Sequence, residues 1–483
     1  MFKLKIYKPK LYNYLFLIGL SLFFTACSIP TLVKRTSSLE KTPNNYASQT
    51  DTSSVTQLNW KEYFNDNNLI ALIDTALKNN QELNITLQEI QIASNEVRAR
   101  KGEYLPFVDI AAGAGVEKPS RFTSRGASDA ITEIEEGRKT PDPLQDYMIG
   151  AYASWEIDIW KKLRNAKKSA YLNYLSSIEG KNFLTTNIIA EIANEYYELL
   201  ALDNQLDIIN QNIEIQTNAL RIVRLQKQSG KVTELAVRRF EAQLLNTKGL
   251  QYDILQSITV TENRINFLLG RYPQPIQRSS KEFMDAIPNV VSAGIPSQLL
   301  GNRPDIRQAE LKLQAAKLDI KVAKANFYPS LRLTAGVGLR AFNPAFLVKA
   351  PESILYSVAG DLVAPLINRN AIKATYLTAN AKQIQALYEY ERTILNGYLE
   401  VTNQLSNIYN LEQKYKVEIE QVELLNQATS ISNDLFQSTR ADYMEVLLTQ
   451  RDVLEAKVEL IETKNQQMHA LVSIYRALGG GWK

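Results

Sequence analysis

The chain has one histidine and one cysteine among its 483 residues. The lone cysteine excludes a disulfide framework. The single histidine, His469, leaves no His-based metal site, and its place in a helical run makes it a helix-surface residue rather than the base of a Ser-His-Asp triad. Gly113-Ala114-Gly115 lacks the third glycine of a dinucleotide-binding loop, and Gly230-Lys231 lacks phosphate-loop spacing. These absences predict a protein that is not an enzyme and that has no cofactor and no metal.

The chain also has no net charge when its first 26 residues are left out of the count. The whole chain carries 55 Lys and Arg against 51 Asp and Glu, but residues 1–26 contain four lysines and no acids. The remaining chain therefore has 51 of each sign and is formally neutral. Because nucleic-acid binding needs a net basic footprint or a basic stripe, and neither stands out, we expect no nucleic-acid partner.

Proline is absent from two long stretches, residues 144–272 and 366–483. Within them two helical runs are predicted, from near Trp160 to Gly230 and from near Asn368 to Thr439, with apolar residues at the three- and four-residue intervals of coiled coils. An α-helix rises ~1.5 Å per residue, so each run is on the order of 100 Å long. No single globular domain needs helices of that length, which indicates that the molecule reaches across something.

The first 26 residues have the features of a bacterial lipoprotein signal peptide. Four lysines precede a short apolar core from Tyr14 to Phe24, and Thr25-Ala26 stands directly before Cys27. The core is too short for a membrane span. Cleavage would leave Cys27 first and lipidated, for example by palmitate, at the head of a polar tether over residues 27–60. The alternative is an ordinary secretory signal with an incidental cysteine.

The rest of the chain is an internal two-fold sequence repeat, over residues 61–273 and 304–483, with a proline-rich linker over 274–303. Each copy reads as an amphipathic helix, two strands, a long helix and a shorter helix. The opening helices are predicted over Leu69 to Arg100 and over Asp305 to Ala325, where Pro304 suits the first helical turn. The duplication predicts that both copies perform the same structural task.

Four segments alternate apolar and polar residues with the period of a β-strand, at 108–117, 147–158, 331–340 and 354–364. Each is roughly ten residues long, which is the length of a tilted strand through a bilayer. A half-buried sheet in a soluble domain would show the same alternation. The predicted lipoprotein signal, which would direct the chain to the outer membrane, favours a barrel. Polar residues of these segments are the candidate lumen residues: Asp109, Glu156, Asp158, Arg332, Arg340 and Asp361.

Four strands are too few to close a barrel. An open edge in hydrocarbon would leave backbone N–H and C=O groups unpaired, so the chain must share its barrel with copies of itself. Two chains would give eight strands with an interior filled by side chains, and three would give twelve strands and a lumen. A channel therefore requires a homotrimer.

The helical hairpins turn at Gly230-Lys231 in the first copy and at Thr439-Arg440 in the second. Asp442, followed three residues later by Glu445, resembles a capping box for the final helix. These turns are the predicted far ends of the long helices.

Three motifs carry a resemblance to a known family: Gly301-Asn-Arg-Pro-Asp-Ile-Arg-Gln-Ala-Glu310, Phe327-Tyr-Pro-Ser-Leu331 and Tyr475-Arg-Ala-Leu-Gly-Gly-Gly-Trp482. With them the mature chain resembles, over nearly its whole length, the TolC-like outer-membrane efflux factors of the NodT and OprM lipoprotein branch. The resemblance implies a mainly α fold with a membrane β-barrel: a trimer with a twelve-stranded barrel in the outer membrane and a long twelve-helix α-barrel in the periplasm. It also implies a duct that docks a periplasmic adaptor protein and an inner-membrane pump, usually of the resistance-nodulation-division type.

The resemblance further implies a gate at the periplasmic end, where members of the family have acidic rings and apolar plugs. Asp434 best matches the acidic ring, and Phe436 lies two residues beyond it. Three carboxylates converging on an axis would favour bound cations. The leading hypothesis is a passive duct for small molecules, and the alternative is a lipid-anchored coiled-coil scaffold without a pore.

Overall fold

The computed structural model describes residues 29–35, 43, 46, 59–285, 293–438 and 440–482. Cys27, the signal peptide, most of the tether and Thr439 lie outside the described residues.

Long helices and one sheet make up most of this structure. In chain order, the helices are α1 Trp60–Tyr63, α2 Asn67–Asn79, α3 Gln81–Glu103, α4 Ser124–Asp129, α5 Lys162–Gln228, α6 Glu234–Leu268, α7 Leu299–Asn302, α8 Pro304–Ala325, α9 Pro344–Leu347, α10 Asn370–Gln437 and α11 Tyr443–Ala477. The strands are β1 Phe107–Glu117, β2 Glu133–Glu135, β3 Arg138–Lys139, β4 Leu144–Ile157, β5 Ser330–Ala341 and β6 Ile354–Val363.

The chain divides into two compact units. The first unit contains Gln91–Tyr174, Leu311–Leu387 and the described residues 29–35, and it holds the sheet. The second unit contains Leu175–Glu310, Tyr388–Lys483 and the described residues within Ser37–Ile90, and it holds the turns of both helical hairpins.

The sheet is antiparallel, with the strand order β1-β4-β5-β6. Its register pairs Ala151 with both Ile110 and Val337, and Val337 in turn with Tyr356. Within the described residues, β1 and β6 each pair along one side only, so the sheet has two open edges. The long loop between β1 and β4 contains α4 and the small β2–β3 hairpin.

The first amphipathic helix, predicted as one unit, is two helices joined at Asn80. Its backbone is extended at ψ 126°, which breaks the helix. The side-chain oxygen of Asn80 accepts a hydrogen bond from the Leu83 N–H at 3.0 Å, and its amide donates to the Leu268 carbonyl at 2.9 Å. The break thus places a buried side chain at the end of α6.

Arg303 occupies the corresponding place in the second half. It is 4% exposed, and its guanidinium donates to the Ala477 carbonyl at 2.8 Å, to Glu400 at 2.7 Å and to both carboxylate oxygens of Asp305. Burial lowers its pKa, but the hydrogen bonds and charges of Asp305 and Glu400 outweigh that effect and raise the pKa above its usual range. Arg303 is therefore a fixed cation at the end of α11.

Two glycines allow these close approaches. A Cβ on Gly270 would lie 2.5 Å from the Asn79 carbonyl oxygen, and one on Gly479 would lie 2.6 Å from that of Asn302. Both glycines also have positive φ, 66° and 87°, which a side chain would strain. Gly270 follows the first hairpin and packs against the turn before α3, and Gly479 follows the second hairpin and packs against the turn before α8. Both of these helices lead to a strand of the sheet.

The predicted capping box at Asp442 is wrong. Asp442 precedes α11 with extended backbone angles, but its side chain makes no capping hydrogen bond. The Glu445 N–H bonds to the backbone carbonyl of Asp442 instead, at 3.1 Å. At the equivalent place in the first hairpin a side-chain cap is present, because the Thr233 hydroxyl accepts a hydrogen bond from the Ala236 N–H.

Candidate channel-forming surfaces

One face of the four-stranded sheet is apolar along its whole extent. Register and alternation place on it Val108, Ile110, Ala112, Ala114 and Val116 of β1; Tyr147, Ile149, Ala151, Ala153, Trp155 and Ile157 of β4; Leu331, Leu333, Ala335, Val337, Leu339 and Ala341 of β5; and Ile354, Tyr356, Val358, Gly360 and Leu362 of β6. Several are highly exposed, with Ile110 at 82% and Tyr356 and Val358 at 81%. A contiguous exposed apolar face of this size marks a surface that lies against lipid or a partner.

The opposite face is polar and carries five of the six predicted lumen residues. Asp109 lies on β1 and Glu156 on β4, and Arg332 is paired in the register with both Glu156 and Asp361. Arg340 donates to both carboxylate oxygens of Asp146, at 2.8 and 2.6 Å. On the fourth strand, the register places Asp361 on the same face as Arg332.

Asp158, the sixth residue, has a different role. It follows the end of β4, and its side chain is 1% exposed. It accepts hydrogen bonds from the backbone N–H groups of Leu163 and Arg164, both at 3.0 Å, and pairs with the Arg164 guanidinium at 3.2 Å. Asp158 therefore caps α5.

Glycines make the polar face shallow at its centre. Gly336 lies opposite Tyr152, and a Cβ on Gly336 would lie 3.0 Å from that ring. The Tyr152 hydroxyl donates to the Met148 sulfur at 3.1 Å, which holds the ring along the sheet. Sequence reasoning missed this aromatic because only the register shows that it faces a glycine.

The turn of the first hairpin is held by ion pairs between α5 and α6. Arg224 pairs with Glu241 at 2.9 Å, Lys227 pairs with Glu234, and Arg238 contacts both acids. Gly230 and Lys231 lie between the two helices, as predicted. Hydrogen bonds from Lys227 and Arg238 and their charges hold the pKa of Glu234 below its usual range. The pairs were missed because their residues are spread over eighteen positions, from Arg224 to Glu241.

The second hairpin contains the two gate candidates, which face different surroundings. Asp434 is exposed and forms no ion pair with any other described residue. Phe436 is half-buried and packs against a cluster that includes Leu220, Val223 and Phe240 of the first hairpin. Arg440 is exposed. The structure therefore places Phe436 between the hairpins of one chain, rather than as a free apolar plug.

His469 is also less exposed than expected. It is half-buried, and its Nε2 lies 3.1 Å from the Asn194 carbonyl oxygen of α5. In the described part of the chain, no group of three or more His, Cys, Asp or Glu side chains could hold a metal ion. None of the helices described there is long and apolar enough to cross a membrane.

Comparisons with known proteins agree over almost the whole chain. The sequence model of the family described as "Outer membrane efflux protein" matches residues 72–271 and 295–480. The pyoverdine export outer membrane protein OpmQ of Pseudomonas putida is 28% identical over 474 residues, which cover 98% of each chain. The cation efflux system protein CusC of Escherichia coli is 25% identical over 425 residues, or 88% of each.

The fold is also that of a solved channel. The open state of the MtrE outer membrane channel of Neisseria gonorrhoeae superposes with a TM-score of 0.81 and 22% identity, covering 95% of this chain and 99% of that one. Members of the family are trimeric outer-membrane components that partner with periplasmic adaptors and inner-membrane resistance-nodulation-division pumps. The chain belongs to the outer membrane efflux protein family and is an outer-membrane channel component of an efflux pump that extends into the periplasm.

Proposed function

We propose that three copies of this chain close one twelve-stranded barrel and form a passive export duct. The observation that carries this proposal is the four-stranded sheet, which has two open edges, one wholly apolar face and one polar face. In hydrocarbon, each unpaired backbone group at an edge would cost several kcal/mol. Pairing β1 of one copy with β6 of the next removes both edges.

The number of copies follows from the polar face. With eight strands, side chains fill the barrel interior, whereas twelve leave a lumen. Asp109, Glu156, Arg332, Arg340 and Asp361 then line that lumen, and the apolar face meets lipid. The shallow glycine surface beside Tyr152 keeps the middle of the barrel wide.

The long helices provide the periplasmic part of the duct. Each chain contributes two hairpins, α5–α6 and α10–α11, so three chains supply twelve helices around one tunnel. At ~1.5 Å per residue, the 67 residues of α5 and the 68 residues of α10 each extend on the order of 100 Å. The near-equal lengths support two copies of one structural unit, over residues 61–273 and 304–483.

The turns at Gly230-Lys231 and Thr439-Arg440 form the periplasmic mouth, where the adaptor and pump engage. Asp434 from three chains forms an acidic ring there, because its exposed carboxylate has no competing ion pair in the described residues. Cys27 carries a lipid that anchors the N-terminus in the outer membrane. The relatives export different solutes, including pyoverdine and cations, which supports a duct whose cargo is chosen by its pump.

Single-channel recording in a planar bilayer tests the duct. We expect full-length protein to give discrete conductance steps and to run as a trimer after detergent extraction. Asp434→Asn should lower both the cation conductance and the cation selectivity of the closed end, because it removes three converging charges that attract cations. Glu423→Gln, an exposed carboxylate on the same helix, is the matched control and should leave both unchanged.

The competing hypothesis is a lipid-anchored coiled-coil scaffold without a pore. It predicts no conductance from wild-type protein or from either variant, together with a monomer that lacks a heat-resistant barrel. That combination of results would rule out the duct.

A further inference from the structure

The formal neutrality of the mature chain hides a large separation of charge. From residue 27 onward, the first unit carries 25 Lys and Arg against 15 Asp and Glu, and the second unit carries 26 against 36. The net charges are therefore +10 and −10. The mature chain as a whole has no net basic charge, as expected. The first unit alone does have one, so the expectation that no basic stripe exists is wrong for that unit.

The excess lies in the helical segments next to the sheet. We call these segments the basic collar: residues 29–35, 91–104, 158–174, 311–325 and 369–387. Together they hold 17 Lys and Arg against four Asp and Glu, a net charge of +13. The strands and their loops in the same unit are net negative, so the charge is confined to the ends of the helices that adjoin the strands.

The densest part of the basic collar directly follows β4. Five of the eight residues from 161 to 168 are basic: Lys161, Lys162, Arg164, Lys167 and Lys168. Lys162 pairs with Glu156 at 2.5 Å and Arg164 with Asp158 at 3.2 Å. Among the described residues, no acid pairs with Lys161, Lys167 or Lys168.

Helix geometry shows on which side these cations lie. Glu156 belongs to the polar face of the sheet, so its partner Lys162 points to that side. At 3.6 residues per turn, Lys167, Arg164 and Lys168 lie roughly 140°, 200° and 240° around α5 from Lys162. They therefore face the side of the apolar surface.

Contacts of Arg164 agree with this direction. Its guanidinium lies 5.7 Å from the centre of the Tyr104 ring. The Tyr104 carbonyl accepts a hydrogen bond from the Trp155 indole, and Trp155 lies on the apolar face. Through Tyr104 and Trp155, Arg164 is thus connected to the end of the apolar face that lies nearest to the start of α5.

Aromatic side chains accompany the cations at the same level. Trp160 is 46% exposed; it stacks on Tyr328 at 4.6 Å and donates to the Pro329 carbonyl at 2.7 Å. Tyr171, on the same side of α5 as Arg164, is 47% exposed. Ile29, two positions after Cys27, packs against the cluster around Phe327 and Tyr376 in this unit. Exposed aromatics mark the boundary between hydrocarbon and headgroups.

We propose that the basic collar, through Lys161, Arg164, Lys167 and Lys168, binds the headgroups of anionic phospholipids in the periplasmic leaflet of the outer membrane. Clusters of this kind beside a membrane-spanning segment attract anionic lipid, each cation adding to the attraction. The inference rests on the proposed function only in taking the sheet to lie in the membrane. The proposal implies that the depth of the barrel in the membrane is fixed by the attraction between the basic collar and the headgroups, as well as by the apolar face.

Quenching of tryptophan fluorescence by brominated lipid tests the proposal on full-length protein in vesicles. The vesicles contain phosphatidylethanolamine and phosphatidylglycerol in equal amounts, with one or the other brominated. We expect a preference for phosphatidylglycerol of roughly fivefold or more near Trp160, reduced by high salt. Trp160→Phe should remove most of the difference, which identifies the reporter.

The decisive variant is Lys161→Gln/Lys167→Gln/Lys168→Gln, which leaves both ion pairs intact. We expect its preference to fall towards onefold with the trimer preserved. Lys78→Gln/Lys248→Gln/Lys457→Gln removes the same charge from the second unit and should keep the preference. A wild-type protein without preference, or a lysine variant that retains it, would overturn the proposal.

Conductance of the same vesicles separates the two hypotheses. If the lysine variant changes ion selectivity while quenching stays the same, the cations line the lumen and the lipid proposal is wrong. If no conductance is seen but the lipid preference and its loss are observed, the duct fails and the lipid site stands.

Discussion

The two helical hairpins have nearly the same length, 67 and 35 residues in the first and 68 and 35 in the second, yet their turns are held differently. The first hairpin buries Leu220, Val223 and Phe240 and adds a network of ion pairs between its helices. The second hairpin contributes one fully buried residue to that cluster, Val446, and is joined at its turn by hydroxyl contacts such as Ser432–Thr449 at 3.0 Å. The first hairpin is therefore self-supporting, whereas the second depends on the first.

At the ends opposite the turns, the second hairpin is held more strongly than the first. The first ends on the neutral amide of Asn80, and the second ends on the guanidinium of Arg303 with its two carboxylates. A buried cation makes the strongest demand on its partners, since losing one of them leaves a desolvated charge. The second hairpin is thus strongly fixed at one end and weakly held at its turn.

The largest expected effect is at the fixed end. Arg303→Leu should destabilise the C-terminal part of α11 by about 3–5 kcal/mol, because Asp305 and Glu400 lose their shared cation. Asn80→Ala, the matched change in the first half, should cost about 1–3 kcal/mol for the unsatisfied Leu268 carbonyl. Hydrogen–deuterium exchange over residues 470–482 and 262–275 measures both. Equal effects at the two ends would remove the proposed asymmetry.

The next effect concerns the buried cluster at the turns. Phe240 is 1% exposed, so Phe240→Ala should destabilise both turns by about 3–5 kcal/mol. Phe436 is half-buried, and Phe436→Ala should cost about 1–2 kcal/mol and act mainly on the second turn. Exchange over residues 215–245 and 430–450 distinguishes the two patterns. A change confined to the first turn in both variants would contradict the dependence of the second hairpin on the first.

Much of this architecture could be predicted from local signals. Proline-free periodicity located the long helices to within a few residues, and alternation located the strands. Pro106 and Pro329 stand directly before β1 and β5, because proline ends a helix and permits an edge or first-strand position. The motif around Arg303 was noticed, but its partners Glu400 and Ala477 are remote in sequence, so its role required the fold.

Other features failed for identifiable reasons. Asn80 interrupts α2–α3 because its side chain satisfies a distant carbonyl, and no local propensity encodes that partner. Asp158 alternates correctly with Glu156 but lies one residue past β4, where the start of a helix claims its carboxylate. The basic collar was hidden because its segments are far apart in sequence and are balanced by acids in the other unit.

The smallest expected effect is electrostatic and belongs to the first turn alone. Glu234 and Glu241 pair with cations in solvent, and because the pKa of Glu234 is lowered, its contribution is present at neutral pH and is lost only as the pH falls through that lowered value. At about 1 M salt the screening length is ~3 Å, so the pairs weaken. Exchange over residues 222–241 should rise less than about fivefold, as expected for exposed pairs. Glu234→Gln/Glu241→Gln should abolish this salt response, whereas the second turn, held by hydroxyl groups and apolar contacts, should show none in either protein. A salt response of the second turn equal to that of the first would mean that the two turns are held by the same forces after all.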